Sequence, residues 1–186
     1  MNQKGDVWVS AVLYIALGMV LITLILSAGL PLIEKMRDKN TIVQTKNLLF
    51  NLNANIETVA NEGAGSRRYI SPVVISSGAL SIDNTNERVL WKMTTKNLMM
   101  EPNPMNTASG NLKIFKEGSL NMWMVETAVE GEYEIYLELK YGNLDITYGG
   151  VSADCITAPS LTGSYSFSIE NRGVPAGLPI VNICAT

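Results

Sequence analysis

The sequence contains no histidine. The commonest general base at neutral pH and the commonest metal ligand are therefore missing. A serine hydrolase triad of the usual kind is impossible. Cysteine is almost absent too, with Cys155 and Cys184 the only two. Two cysteines with neither a Cys-x-x-Cys spacing nor a histidine make a poor zinc site. Charge is scarce, at 17% of residues and a net of -3, against about 25% in ordinary soluble domains. No basic block exists, so nucleic acid is not an expected partner. There is no Asn-x-Ser/Thr sequon and no Gly-rich stretch of the P-loop form, which removes the ordinary signals for N-glycosylation and for phosphate cradling. No constellation meets the requirements of a catalytic centre, so neither an enzyme nor a cofactor is expected.

What the chain does have is a long apolar run. Residues 7–33 contain no Asp, Glu, Lys or Arg. As a helix this run would be about 40 Å long at 1.5 Å per residue, and a bilayer core needs about 20 residues. Leu, Ile and Val cover every face, a pattern that belongs in lipid or deep in a core. Trp8 and Tyr14 lie toward its N-terminal end, where an aromatic belt is expected. A transmembrane helix over residues 6–33 is therefore the expectation. Two rivals are a cleaved secretory signal, with Ser27-Ala28-Gly29 as its small-residue site, and a buried core helix. The run is too long and its leader too poor in charge for the first. The chain is too short to supply a core for the second. A count of Lys4 before the run against Lys35, Arg37 and Lys39 after it would put the C-terminal side in the cytoplasm. The cysteines point the other way: on a cell exterior Cys155 and Cys184 could form one disulfide. That bridge would close a loop of about 30 residues, worth ~3.6 kcal/mol in the chain-entropy picture.

Gly29 and Pro31 interrupt the run near its far end. Pro31 cannot donate to the Ser27 carbonyl, and its ring crowds that group, so a kink or local unwinding is expected there. The helix should resume over residues 34–62. Ile42, Leu49 and Ile56 recur every seven residues, with Leu52 and Val59 three beyond two of them. Lys35, Lys39, Lys46, Asn53 and Glu57 fall largely off that stripe. This is an amphipathic helix with one buried face, ending at Gly63 and Gly65.

From Tyr69 the period changes to two. The clearest strand covers residues 132–141, with apolar or aromatic residues at odd positions and mostly charged ones at even positions, one face buried and one wet. Gly142-Asn143 then reads as a hairpin turn into residues 144–148. Residues 165–170 alternate as well, and Val89, Trp91 and Met93 share a face behind a turn at residues 83–86. Residues 112–115, 120–129 and 180–184 are further strand candidates, and residues 99–110 read as a loop. The dense acids Glu126, Glu130, Glu132, Glu134 and Glu138 are expected on a solvated strand face. The Asp83 to Glu87 turn lacks the Gly and terminal Glu of an EF-hand loop, so calcium is not expected there. The fold class is thus α+β: a long N-terminal transmembrane and amphipathic helix followed by an antiparallel β-sheet or β-sandwich head over residues 63–186.

The leader Met1-Asn2-Gln3-Lys4-Gly5 abuts the apolar run directly. A short polar leader ending in Lys-Gly ahead of a long hydrophobic helix resembles the class III signal peptide of archaeal type IV pilin-like proteins and archaellins. The resemblance implies that a membrane leader peptidase removes residues 1–5, cutting after Lys4 and Gly5 and leaving Asp6 as the new N-terminus. It also implies that the helix is retained as the core of a surface filament, and that the head lies outside the cell. Assembly machinery and copies of the chain, or related pilin-like subunits, would be its partners, together with the lipid bilayer. The chain departs from the family at Ser10, which stands where many members carry a Glu thought to pair with a neighbouring subunit's amino terminus. Beyond the first 60 or so residues the likeness is one of architecture. The alternative expectation is a non-polymerising, membrane-tethered surface module for binding or adhesion.

Overall fold

The computed structural model describes residues 3–149, 155–174 and 177–186, with residues 3–7 and 109 described by backbone alone. The chain divides into two units, Met1–Lys39 and Asn40–Thr186. One helix, α1 (Gln3–Glu62), contributes residues to both.

In the first unit α1 presents apolar side chains in every direction. From Trp8 to Ile33 all the large hydrophobic residues are exposed, so this segment is not the core helix of a folded head. Gly29 and Pro31 lie within the helix, which stays α-helical across them. Of the expected kink or local unwinding at Pro31, unwinding is not present. A proline removes one i to i−4 hydrogen bond, and the helical turns on either side of Pro31 continue across it.

The second unit is a sheet with the rest of α1 on one face. Leu49, Leu52, Ile56 and Val59 are buried in a common core with the sheet, so the expected stripe is the docking face. Two polar residues depart from the expected pattern. Asn53 is only 8% exposed, and Lys46 is largely covered because it pairs with Glu117. At 100° per residue, Asn53 follows Leu52 onto the same buried arc. The helix ends at Glu62 as expected, and Gly63 and Gly65 take φ values of 94° and 87°, a region glycine enters without steric cost.

The sheet strands are β1 (Arg67–Asp83), β2 (Arg88–Thr95), β3 (Phe115–Glu117), β4 (Leu120–Glu126), β5 (Tyr133–Lys140), β6 (Asp145–Tyr148), β7 (Leu161–Asn171) and β8 (Ile180–Ala185). Among the described residues these eight form one sheet in the order β3-β4-β5-β2-β1-β7-β8-β6. The molecule is therefore α+β, with a long N-terminal helix and a β head. Alternation sets the faces. Ile135, Leu137 and Leu139 on β5 and Val89, Trp91 and Met93 on β2 are buried on the core side. The turn at residues 83–86 is built by Asp83, whose carboxylate accepts from the Thr85 and Asn86 backbone N–H groups.

Gly142-Asn143 does not make the expected hairpin. β5 is already flanked by β4 and β2, so no edge is left for β6. Instead β6 crosses over and pairs with β8, in parallel. This is the parallel pairing in a sheet that is otherwise antiparallel in its described ladders. Of residues 112–115 only Phe115 enters a strand, and β4 stops at Glu126. The loop at residues 99–110 contributes one bridge to the sheet, Asn103 to Val125.

Both sheet edges are blunted. β3 is three exposed residues long and carries Lys116 at its centre. At the other edge the Ile146 N–H donates to the Glu87 carboxylate. Short strands and edge charges of this kind discourage pairing with another sheet.

Candidate functional site

Seventeen large apolar side chains between Trp8 and Ile33 stand exposed. Leaving that surface in water would cost on the order of 20 kcal/mol relative to burying it. That exceeds the whole stability of a typical domain, about 5–15 kcal/mol. An apolar surface this large marks a contact with membrane or protein. By length and composition, α1 holds one segment able to cross a bilayer. Two hydroxyls in it are quenched locally. Thr23 Oγ1 donates to the Met19 carbonyl at 2.8 Å and Ser27 Oγ to the Leu24 carbonyl at 2.9 Å. Such back-bonding lets a hydroxyl sit on an apolar helix without seeking a partner elsewhere.

Of the leader, Met1 and Asn2 lie outside the described residues. Gln3, Lys4, Gly5 and Asp6 fall in α1, with the side chains of Lys4 and Asp6 outside the description. Gly29 and Pro31 follow on the same helix.

In the head, the lower end of the helix is clamped by a residue that periodicity does not single out. Asn171, on β7, is 1% exposed. Its Nδ2 donates to the carbonyls of Val59 at 3.0 Å and Ala60 at 3.1 Å. Ser66 Oγ adds a bond to the Val59 carbonyl at 2.8 Å. These carbonyls belong to the last turn, which lacks intrahelical donors. A polar residue closing an alternating strand is the only hint of this role in the sequence.

Cys155 and Cys184 are joined in a disulfide, with Cα atoms 5.2 Å apart. It ties the segment before β7 to β8, beside the bridge from Ile156 to Ala185.

The acidic set does not behave as one wet face. Glu138 is 7% exposed, because Arg88 Nη1 and Asn121 Nδ2 reach its carboxylate at 3.3 and 3.2 Å. A buried carboxylate needs such partners. Glu134 accepts from the Tyr136 hydroxyl. Burial, and then Glu134, pushes that phenol up to about 12. Asp83 is held down at about 2, chiefly by the Asn86 side chain. Its oxygens are taken by its own turn and by Arg88 at 3.0 Å, which leaves no open ligand set. No group of three potential metal ligands occurs among the described residues.

A groove of about 410 Å³ runs between α1 and β1, floored by Leu48, Leu52, Ile70, Val73 and Phe167. Asn47, Asn51 and Ser71 are its polar residues, and the Ser71 and Ser166 hydroxyls share a hydrogen bond of 2.8 Å. No charged side chain lines it.

The chain is thus an α+β protein in which an exposed apolar helix leads into a β head. No known protein family, characterised protein or solved structure matches it.

Proposed function

We propose that this chain is a structural subunit of a type IV pilus-like or archaellum-like surface filament, held in the membrane by α1 with its head outside the cell. The reading rests on the apolar side chains of residues 8–33, which are exposed all round. In a bilayer this surface meets lipid. In a filament it meets the same segment of neighbouring subunits. Exchanging lipid for helix contacts yields only packing and hydrogen-bond gains, so assembly would need dedicated machinery. The Lys4-Gly5 leader supports the same reading, and the Cys155–Cys184 disulfide suits an oxidising exterior. The blunted sheet edges favour subunit contacts through the helix.

Intact-mass measurement of the mature protein tests this. A chain beginning at Asp6 is the expected result. An uncut Met1 sinks the filament reading and leaves the tethered surface module in its place. Protease treatment of intact cells tests the topology: digestion of the head is expected, and its protection would reverse the orientation.

A further inference from the structure

The connection between β2 and β3, residues 96–114, contains only a short 3-10 turn and one isolated bridge to the sheet. Connections longer than about 12–15 residues are uncommon in compact domains, and the ordered ones usually serve binding. This one is held in place by a single side chain. Asn103 is 2% exposed, and its backbone bridges to Val125 on β4. Its Nδ2 donates to the Met124 carbonyl at 3.0 Å, and its Oδ1 accepts from the Lys113 N–H at 2.7 Å. Both limbs of the loop are thereby tied to β4. Within the loop the Thr107 N–H donates to the Pro104 carbonyl at 3.0 Å, closing a turn with Met105 as its second residue. Met105 is 54% exposed. The charged residues of the loop are all engaged, Lys96 with Glu132 at 3.9 Å and Glu101 with Lys113. A fixed and electrically neutral loop thus holds out an adaptable apolar side chain of the kind that fills irregular gaps.

The same head carries a surface of matching chemistry on its other flank. The groove between α1 and β1 has an apolar floor, is edged by Asn47, Asn51 and Ser71, and is lined by no charged side chain. Lys46 marks the flank of α1 nearest β3, through its pair with Glu117. Asn51 stands about 140° round the helix from Lys46. The loop is tied to β4, and β5 and β2 separate β4 from β1. Met105 therefore lies on the flank away from the groove of its own chain. A groove without charge offers an ion no partner and suits an uncharged, apolar side chain. We propose that loop 96–114 of one copy docks in the α1–β1 groove of the next, with Met105 as the side chain that enters it. The proposal rests on the filament reading and names its contact between heads. Two different patches meet, so the contact is heterologous. Such contacts run on into rings or open filaments rather than stopping at a two-fold dimer. This one works through side chains and leaves the blunted sheet edges unpaired.

Cysteine cross-linking of the full chain, in the membranes and filaments of the cells that make it, tests this. Cys155 and Cys184 are already joined, so introduced cysteines report alone. Met105 and Asn47 are both exposed, and replacing them leaves the core untouched. A chain carrying Met105→Cys and Asn47→Cys together is expected to give a ladder of cross-linked dimers, trimers and larger species on mild oxidation. Each single variant is expected to give none, and the two single variants made together should stop at dimers. Val129→Cys, exposed on the β4–β5 turn, is expected to give no ladder with Asn47→Cys. The inference is overturned by the absence of a ladder from the Met105 pair, by an equal ladder from the Val129 pair, or by Met105→Cys chains that cross-link to one another. It is also overturned if the Asn47→Cys groove joins only a different protein. Filaments without the ladder overturn this contact and leave the filament reading standing, whereas an uncut Met1 with neither filaments nor ladder overturns both. A second variant needs no introduced cysteine. Met105→Asp is expected to lower filament yield several-fold without shifting the unfolding midpoint of the head, while Val129→Asp changes neither. Equal filament yields from the two overturn the inference.

Discussion

Residues 8–33 and residues 41–59 belong to one helix, yet they solve opposite problems. The first segment has apolar residues on every face and buries none of its large side chains. The second confines Leu49, Leu52, Ile56 and Val59 to one arc and buries all four. Both are α-helical throughout, and apart from the bond lost at Pro31 their backbones are alike. What differs is where the side chains find apolar surroundings. The second segment finds them in its own sheet, and the first leaves its large side chains exposed. The lesson is that periodicity, not hydrophobicity, reports whether a helix is partnered within its own fold.

A matched pair of truncations breaks or sustains this comparison with the largest effect. Leu52 is 2% exposed at the core. Leu52→Ala should cost the head about 2–5 kcal/mol through lost burial and the cavity left behind. Ile22→Ala, in the exposed segment, should change head stability by less than about 0.5 kcal/mol, as surface substitutions do. Denaturant unfolding of both variants in micelles, read by tryptophan fluorescence, checks the pair. Equal losses would mean that the two segments are not energetically distinct.

Much of this contrast is legible in the sequence, and what is not has physical reasons. The stripe of Ile42, Leu49 and Ile56 and the stop at Gly63 depend on local rules and were readable. The strand alternation around Ile135, Leu137 and Leu139 was readable for the same reason. The partner of β6 was not. Gly142-Asn143 is a sound turn signal, but whether a turn closes a hairpin depends on whether the preceding strand has a free edge. That is decided by β2 and β4 far away in sequence. By polarity and spacing alone, Asn53 and Glu138 belong to solvent. Each is buried because a specific partner lies within reach, Glu57 for one and Arg88 with Asn121 for the other. Asn171 escaped because capping across a long loop leaves no mark on local spacing. For residues 8–33 the sequence announces an apolar surface but not what covers it.

The comparison sharpens at the helix terminus. Asn171→Ala removes both donors to the Val59 and Ala60 carbonyls and leaves those acceptors covered. A loss of about 2 kcal/mol is expected, between that of an ordinary hydrogen bond and a fully orphaned group. Amide hydrogen exchange should locate it: faster exchange over residues 56–62 and no change over residues 8–33. Loss of protection throughout α1 would show that the helix behaves as one cooperative element, and the contrast between its halves would fall.

The smallest effect comes from a turn with no role in holding α1. Asp83 has its carboxyl lowered from 3.8 to about 2, first by the Asn86 side chain. A carboxyl whose folded value lies below its unfolded value adds stability above the unfolded value, here 3.8, and loses it as the pH falls toward 2. Asp83 is 27% exposed at its side chain, so solvent screening reduces the contribution to roughly 1 kcal/mol. The parent should therefore lose about that much more stability than Asp83→Ala between pH 5 and pH 2, measured as the difference between their unfolding free energies. Exchange protection at Leu52 and Ile56 should be the same in both proteins at pH 5, once each is corrected for global stability. The turn then acts on the sheet alone. A selective loss of protection at those two helix residues would instead place the β1–β2 turn among the contacts that hold the buried half of α1.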